Sequence, residues 1–424
     1  MIEPKVLKGF RDSLPSQEIV RQNLISKIQN IFRSFGFVPI DTPCLEYSEV
    51  LLGKGGGETD KQMFRFQDNG NRDVALRFDL TVPLARFVSA NYAQLKFPFK
   101  RYHIGKVWRG EKPQKGRYRE FLQCDFDIIG ADNSQSDFEI LLLIHTCLKS
   151  MNIGSFKVLV SHRGLLNSYL NINGIHGKLD EVLRAIDKLN KIGLENVISI
   201  LRDEGLSDSD IEAINTFISL PKDDFGKTLN LLSDILGQEP EEIIRLRELY
   251  SMMIECGIQD DFVLDTSITR GLDYYTGIVY ETLLEKMPQI GSICSGGRYN
   301  NLTGLYHRDC LPGVGSCIGL DRLIAALEET GSEIVRNSRY ADILILKSPS
   351  FTQNPAATVL REAGLMVDCY CGDKGAGVQY AYAEANNIPY VVSNYENGLF
   401  TVKEIATRNV YENLSLEELV DKVK

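Results

Sequence analysis

Residues 99–130 read FKRYHIGKVWRGEKPQKGRYREFLQCDFDIIG, and this stretch decides the fold class. Phe99–Trp108 interleaves aromatic and apolar residues with basic ones, the pattern of a strand with one wet face. Arg109–Arg119 is polar, basic and broken by Pro113 and Gly116, which marks a loop. Glu120–Gly130 alternates again, with Phe121, Phe126, Ile128 and Ile129 falling among Gln123, Asp125 and Asp127. Two strands about a basic loop make a long antiparallel hairpin. Phe99–Phe121 holds eight Lys/Arg and two Glu, a local +6 in a chain of net charge −10. That concentration points to an anionic ligand, phosphate or nucleic acid. A plain solvated hairpin accounts for the charge equally well.

At 424 residues the chain has room for about three domains of roughly 150 residues each. With 43% hydrophobic and 25% charged residues it belongs to the soluble globular class and can build a large core. Its longest near-apolar run, Ile140–Ile144, is far too short to cross a bilayer, so no membrane partner is expected. The N-terminal MIEPKVLKGFRD has neither the apolar core of a signal peptide nor the acid-poor, basic character of a transit peptide. Nine cysteines occur without a CxxC pair, the nearest two being Cys369 and Cys371. Five histidines (His103, His145, His162, His176, His307) form no ligand-spaced cluster. These features predict a cytoplasmic chain with free thiols and no structural metal. The acidic balance argues against a general nucleic-acid coat but permits a local basic patch.

Taken in order, Ser16 can cap a helix whose stripe is Ile19, Val20, Leu24, Ile28, Ile31 and Phe32, ended by Gly36. Phe37–Leu51 reads as a strand, restricted to an edge by Pro39 and Pro43. Residues 53–68 are Gly-rich without the GxxxxGK[ST] order of a phosphate loop and read as an active-site loop. A strand over Val74–Phe78 stops at Asp79-Leu80-Thr81, and Pro83 opens a helix. Strand ends are where binding groups sit, although Asp79 and Thr81 also suit plain capping. A helix over Ser136–Met151 and a strand over 156–162 follow. Asn171–Ile258 is helical in period throughout and divided by Gly193, Gly205, Pro221, Gly237 and Pro240, as an all-helical insertion would be. The pattern returns to strands over 262–284, which contain RGLDYYTG at Arg270–Gly277, and SGGRYN follows at Ser295–Asn300. Gly313, Gly315 and Gly319 precede a helix but lie outside any βαβ unit, which rejects a dinucleotide fold. Strands at 343–346, 365–370, 390–393 and 400–405 alternate with helices at 356–363, 378–386 and 415–423, a mostly parallel or mixed sheet.

The hairpin resembles motif 2 of class II aminoacyl-tRNA synthetases in the form found in histidyl-tRNA synthetases. Arg109-Gly110-Glu111, Pro113–Arg119 and Gln123…Asp127 carry the likeness. Residues 37–51, with Pro43, resemble motif 1, and Gly319-Leu320-Asp321-Arg322-Leu323 resembles motif 3. Arg270–Gly277 and Ser295–Asn300 resemble the two histidine signatures. The resemblance covers nearly the whole chain. It implies an α+β fold: an antiparallel β-sheet catalytic core flanked by helices, an all-helical insertion and a C-terminal α/β anticodon-binding domain. The domains would be 1–168 and 261–330 for the two parts of the core, 169–260 for the insertion and 338–424 for the anticodon-binding domain. It further implies histidine–tRNA ligation by a homodimer with L-histidine, ATP carried with Mg²⁺, and tRNA(His).

By the same resemblance, Arg109 and Arg270 would be catalytic, and Arg109, Glu111 and Arg322 would bind ATP. Asp79, Leu80, Thr81, Arg109, Gln123, Asp127, Arg270, Tyr274 and Tyr275 would bind histidine. Gln114, Lys115 and Arg117 would meet tRNA. An Arg suits the first role because its planar fork holds carboxylate and phosphate oxygens together. Where such anticodon-binding domains carry several basic residues after the second strand, residues 372–384 here hold only Lys374. The alternative is a non-catalytic, histidine-binding regulatory paralogue of histidine biosynthesis; such proteins lack the C-terminal domain and have degraded signatures.

Overall fold

The computed structural model describes residues 1–52, 61–113, 116–237, 239–268, 275–301, 303–306, 310–336 and 339–424. Of the stretch 53–68 expected to be an active-site loop, residues 53–60 lie outside them, and Arg65–Gln67 is a strand rather than loop. The chain falls into two compact units, Met1–Asp12 with Leu24–Ser332, and Ser13–Asn23 with Glu333–Lys424. Residues 169–260 and 261–330 lie within the first unit, as do residues 1–168 apart from Ser13–Asn23.

Strands of the first unit are β1 (Val38–Pro39), β2 (Leu45–Tyr47), β3 (Arg65–Gln67), β4 (Asp73–Leu76), β5 (Phe99–Trp108), β6 (Glu120–Ile129), β7 (Phe156–His162), β8 (Phe262–Leu264), β9 (Ile278–Leu284), β10 (Cys294–Tyr299) and β11 (Gly313–Gly319). Eight of them form one sheet in the order β1-β5-β6-β11-β10-β9-β7-β8. Its six central strands pair antiparallel, and a short parallel strand closes each edge. The hairpin is continuous from Phe99↔Ile129 to Trp108↔Glu120, as its alternation predicts.

Because side chains alternate across a strand, one face of the sheet collects the apolar members. Cys124, Phe126 and Ile128 of β6 stand on it opposite Ile318, Ser316 and Val314 of β11. The ring of Phe32, from the helix Pro15–Ser34, packs 4.9 Å from that of Phe126. A helix at Ser134–Ser150, capped by Asn133 Oδ1 accepting from the Ser136 amide at 2.8 Å, packs on β6 and β11.

Phe37–Leu51 is not one strand. It divides into β1, β2 and a helix at Ser48–Leu52, and only β2 joins the small antiparallel sheet β2-β4-β3. Pro39 and Pro43 cannot donate to a ladder, so the run cannot pair along its length. The helical stretch holds helices at Leu179–Ile186, Leu189–Ile192, Leu194–Asp203, Asp208–Ile218, Phe225–Leu236 and Glu241–Glu255. The expected breakers fall between them. Gly237, for instance, ends its helix at φ +63°, a left-handed conformation that glycine adopts without a Cβ penalty.

In the second unit, β12 (Ile343–Ile345), β13 (Val367–Cys369), β14 (Tyr390–Glu396), β15 (Leu399–Glu404) and β16 (Val410–Leu414) are ordered β13-β12-β14-β15-β16. The first three are parallel and the last three antiparallel, so the sheet is mixed. The helices Gln353–Glu362 and Leu416–Val423 cover a core of Ile343, Ile345, Leu360, Val392, Phe400 and Leu419. Strand β16 escapes sequence reading because its residues are exposed or half-buried and carry no apolar period.

Candidate functional site

Strand register lays three rows of residues across the face of the large sheet opposite the apolar one. The first row is Arg101, Asp127, Gly315 and Gly297, and the second is His103, Asp125, Cys317 and Ser295. The third is Gly105, Gln123 and Gly319. Two glycines give the first row its depth. A Cβ on Gly315 would stand 1.8 Å from Asp127 Oδ1, and one on Gly297 would stand 2.7 Å from the ring of Tyr275. The Asp127 carboxylate and the Tyr275 ring therefore lie flat on bare backbone.

Asp127 is held from both sides. Its Oδ1 accepts the Tyr299 hydroxyl at 2.5 Å, and its Oδ2 lies 2.6 Å from Nη2 of the fully buried Arg101. Burial pushes its carboxyl above the usual range, while Arg101 and Tyr299 pull it back. Asp125 is pushed up to about 7, first by burial and then by the charges of Asp127 and Asp79, against the pull of Arg101 and the Cys317 thiol. Burial and the adjacent Asp125 raise that thiol well above its ordinary value, so it stays protonated. Gln123 Nε2 donates to Cys317 Sγ at 3.1 Å. His103, whose Nε2 lies 3.0 Å from Asp41 Oδ1, is lowered to about 3 by burial and by Arg101 and Arg77, and is neutral.

A second wall comes from the turn after β4. Asp79 Oδ1 accepts the Val82 amide at 3.0 Å, just ahead of the helix Thr81–Ala90. Leu80 is wholly buried in that turn, and Thr81 is the first helical residue. Burial raises the Asp79 carboxyl, opposed by the Val82 amide and by Arg109. Arg109, just past β5, donates from Nε to the Phe78 carbonyl at 3.0 Å, and its guanidinium stands 5.3 Å from the Phe121 ring centroid. Tyr275 packs among Leu84, Ala85, Val88, Val279 and Tyr299. Asp79 Oδ2, Gln123 Oε1 and Asp125 Oδ1 are buried acceptors with no hydrogen-bond partner among the described residues. Buried polar atoms are rarely left so, and three on one face mark a place that a donor-rich ligand completes.

The hairpin loop closes the site's outer side. Glu111 lies 4.0 Å from Arg109 Nη1 and 3.9 Å from Arg117 Nη1. Arg117 is exposed. Arg322, in the helix Leu320–Thr330, donates to the Ser292 carbonyl at 2.7 Å, and a Cβ on Gly116 would meet its Cγ at 3.7 Å. Neighbouring Asp321 receives Arg11 Nη2 at 2.5 Å and the Leu122 amide at 2.9 Å, pinning the N-terminal segment to the hairpin. Arg270, Tyr274, Gln114 and Lys115 lie outside the described residues. Among those described, no group of three His, Cys, Asp or Glu stands where it could hold a metal ion. Nor is any helix long and apolar enough to cross a membrane.

Asp79, Leu80, Thr81, Arg109, Gln123, Asp127 and Tyr275 thus come together around one face. Sequence reading missed Arg101, Asp125, Cys317 and Tyr299. Asp125 was accessible to it, since period two puts it on the face of Gln123 and Asp127. Arg101 and Cys317 join only through cross-strand register. Arg298, in the Gly-Gly-Arg-Tyr segment, points to the other face, where its Nε and Nη2 hold Asp137 Oδ1 at 2.9 and 2.7 Å.

A family model described as histidyl-tRNA synthetase matches residues 9–323, and one described as anticodon binding domain matches residues 354–424. The histidine–tRNA ligase of Treponema denticola is 50% identical over 412 residues, covering 95% of this chain and 90% of its own length. That of Rhodopirellula baltica is 41% identical, covering 100% of this chain and 99% of its own. The crystal structure of histidyl-tRNA synthetase from Nostoc sp. superposes with a TM-score of 0.88 at 29% identity, covering 100% of this chain and 99% of that one. With the motif-bearing hairpin, the antiparallel core and the C-terminal mixed-sheet unit all in place, the chain belongs to the histidyl-tRNA synthetase family.

Proposed function

We propose that the chain activates L-histidine with ATP·Mg²⁺ and passes it to tRNA(His). In the first step the histidine carboxylate attacks the α-phosphorus, a carboxyl–phosphate bond forms, and the bond to the departing pyrophosphate breaks. In the second, a hydroxyl of the tRNA 3′-terminal ribose attacks the activated carbonyl and AMP leaves. Little proton transfer is needed in the first step, so positioning and charge neutralisation dominate.

The observation that carries this reading is the set of buried acceptors of Asp79, Gln123 and Asp125 that no protein donor meets among the described residues. Asp79, with Thr81 and Gln123, receives the α-ammonium, while Leu80 walls the turn. Asp127 and Tyr275, with Tyr274, receive the imidazole. Arg109 bridges the substrate carboxylate and the α-phosphate, Arg270 stabilises the charge that develops there, and Glu111 and Arg322 hold the nucleotide. Buried acceptors left unpaired by any other amino acid reject it, and a site of this kind discriminates by about 10⁴–10⁵. Gln114, Lys115 and Arg117, on the basic hairpin loop, and the C-terminal unit serve the tRNA.

Amino-acid-dependent ATP–pyrophosphate exchange on the purified chain, tried with each proteinogenic amino acid, tests the reading. Exchange with histidine alone is expected. Histidine binding without exchange would replace it with the regulatory-paralogue reading. In the same assay Arg109→Ala is expected to lower the rate by about 10²–10³, the usual effect of removing one preorganised donor.

A further inference from the structure

Arg101 has no part in the roles assigned above, yet it is fully buried on the site's floor. Its Nη2 forms an ion pair with Asp127 Oδ2 at 2.6 Å, and none of its three side-chain nitrogens has a hydrogen-bond partner among the described residues. Asp125 is the next residue on the same face of β6 and is also buried, with Oδ1 unpartnered. Two carboxylates two positions apart thus face one buried cation.

The surroundings supply little else. Facing the pair are His103 from β5, which is neutral, Cys317 and the bare Gly315 from β11, and Tyr299 from β10. Asp79 faces it from the neighbouring turn, adding a third acid to the interior, and Arg109 acts on Asp79. Like charges this close cannot both remain ionised in a dry setting unless a counter-charge is shared, and the acid with the poorer share keeps a proton.

Resting on the function proposed above, we propose that Arg101 is a positioning residue. It settles the competition between Asp127 and Asp125 for one buried counter-charge, so that Asp127 stays ionised to accept the substrate's imidazole N–H while Asp125 carries the proton. Arg101 touches no reacting atom; it acts through Asp127. The geometry fits this division. Arg101 meets Asp127 directly, Tyr299 donates to the other oxygen of Asp127, and Asp125 is left with a thiol. The burial that drives Asp125 to about 7 places the competition within the range in which an enzyme works.

The test is the pH profile of kcat/KM for histidine in ATP–pyrophosphate exchange, from about pH 5.5 to about pH 9, on the full-length chain. Free histidine titrates identically in every assay, so any difference between variants belongs to the enzyme. Asp125→Asn keeps the volume and fixes the neutral state that the proposal gives Asp125, so the acidic limb is expected to stay in place while the inflection near pH 7, where Asp125 of the parent ionises, disappears. Arg101→Met is expected to move that limb up and to raise KM for histidine at least about tenfold, with KM for ATP nearly unchanged. Arg101→Lys should bring the limb back toward its original place. If the profile of Asp125→Asn near pH 7 matches that of the parent, the proposal fails, whether or not the Arg101 variants fold. It fails too if Arg101→Met lowers kcat and thermal stability with no change in the profile, the result of a purely structural role. Absence of exchange in the unaltered chain would instead remove the function on which the proposal rests.

Discussion

Asp127 has both oxygens engaged by protein, one by a neutral hydroxyl and one by a guanidinium, and so can accept an N–H while staying charged. Asp127→Asn replaces one acceptor oxygen with a donor, and a hydrogen bond to a charged group is worth about 1.5–3 kcal/mol. KM for histidine should therefore rise by roughly 10–100-fold in steady-state exchange, with KM for ATP little altered. Asp125 carries a stability signature besides. Its carboxyl is raised from 3.8 to about 7 in the folded chain, chiefly by burial. A raised acid binds its proton more tightly folded than unfolded, so its contribution is full below pH 4 and lost as pH climbs through 7. That displacement is worth on the order of 4 kcal/mol, so Asp125→Asn should unfold at a higher temperature than the parent at pH 8 and lose that advantage at pH 4. Calorimetry at the two pH values decides it.

At the scale of the element, strand β11 serves the site by what it lacks. Gly315→Ala would place a methyl group 1.8 Å from Asp127 Oδ1 and 2.9 Å from the Phe126 carbonyl, and neither the carboxylate nor the backbone can withdraw. Overpacking of this kind costs about 1–3 kcal/mol. A lower melting temperature and weaker histidine binding by calorimetric titration should appear together. Strand β10 is tied to the opposite face. Arg298 joins Asp137 at the start of the helix Ser134–Ser150, and Arg245 of the helix Glu241–Glu255 reaches the other Asp137 oxygen at 2.6 Å. Arg298→Met leaves Asp137 buried with one cation fewer, and breaking a buried pair costs about 3–5 kcal/mol. Denaturant unfolding should show that loss, because this arginine holds layers together rather than meeting substrate. Two consecutive residues of one segment, Arg298 and Tyr299, therefore do different work on opposite faces, a division that the alternation of a strand imposes.

Across the whole molecule, the small sheet β2-β4-β3 leaves apolar surface open. Tyr47 and Phe66, the cross-strand neighbours of Val74, are 50% and 47% exposed, and Val38 of β1 is 47% exposed. Aromatic residues so placed are common in interfaces, which supports the homodimer that the sequence resemblance implies. Light scattering should give a mass near twice 47.7 kDa, and Tyr47→Glu with Phe66→Glu should shift it toward one.

Much of the architecture was legible because it is written in local periods. The hairpin of β5 and β6, the Gly-rich strand before its helix and the helices from Leu179 to Glu255 all show their spacing in the chain itself, since burial on one side of a strand or helix imposes a period of 2.0 or 3.6. The motif residues Asp79, Arg109, Gln123 and Asp127 were legible through the family resemblance, and period two places Gln123 and Asp127 on one strand face. Where prolines interrupt pairing, as in Phe37–Leu51, or where an edge strand such as β16 buries nothing, the period is absent and the local reading fails. Which charges meet was decided by tertiary structure alone. Arg101 faces Asp127 through the register of β5 on β6, Tyr299 arrives from 172 residues along the chain, and Gly315 makes room from a third strand. A period tells each residue which face it occupies, but only the pairing of strands distant in sequence tells it which neighbour shares its charge.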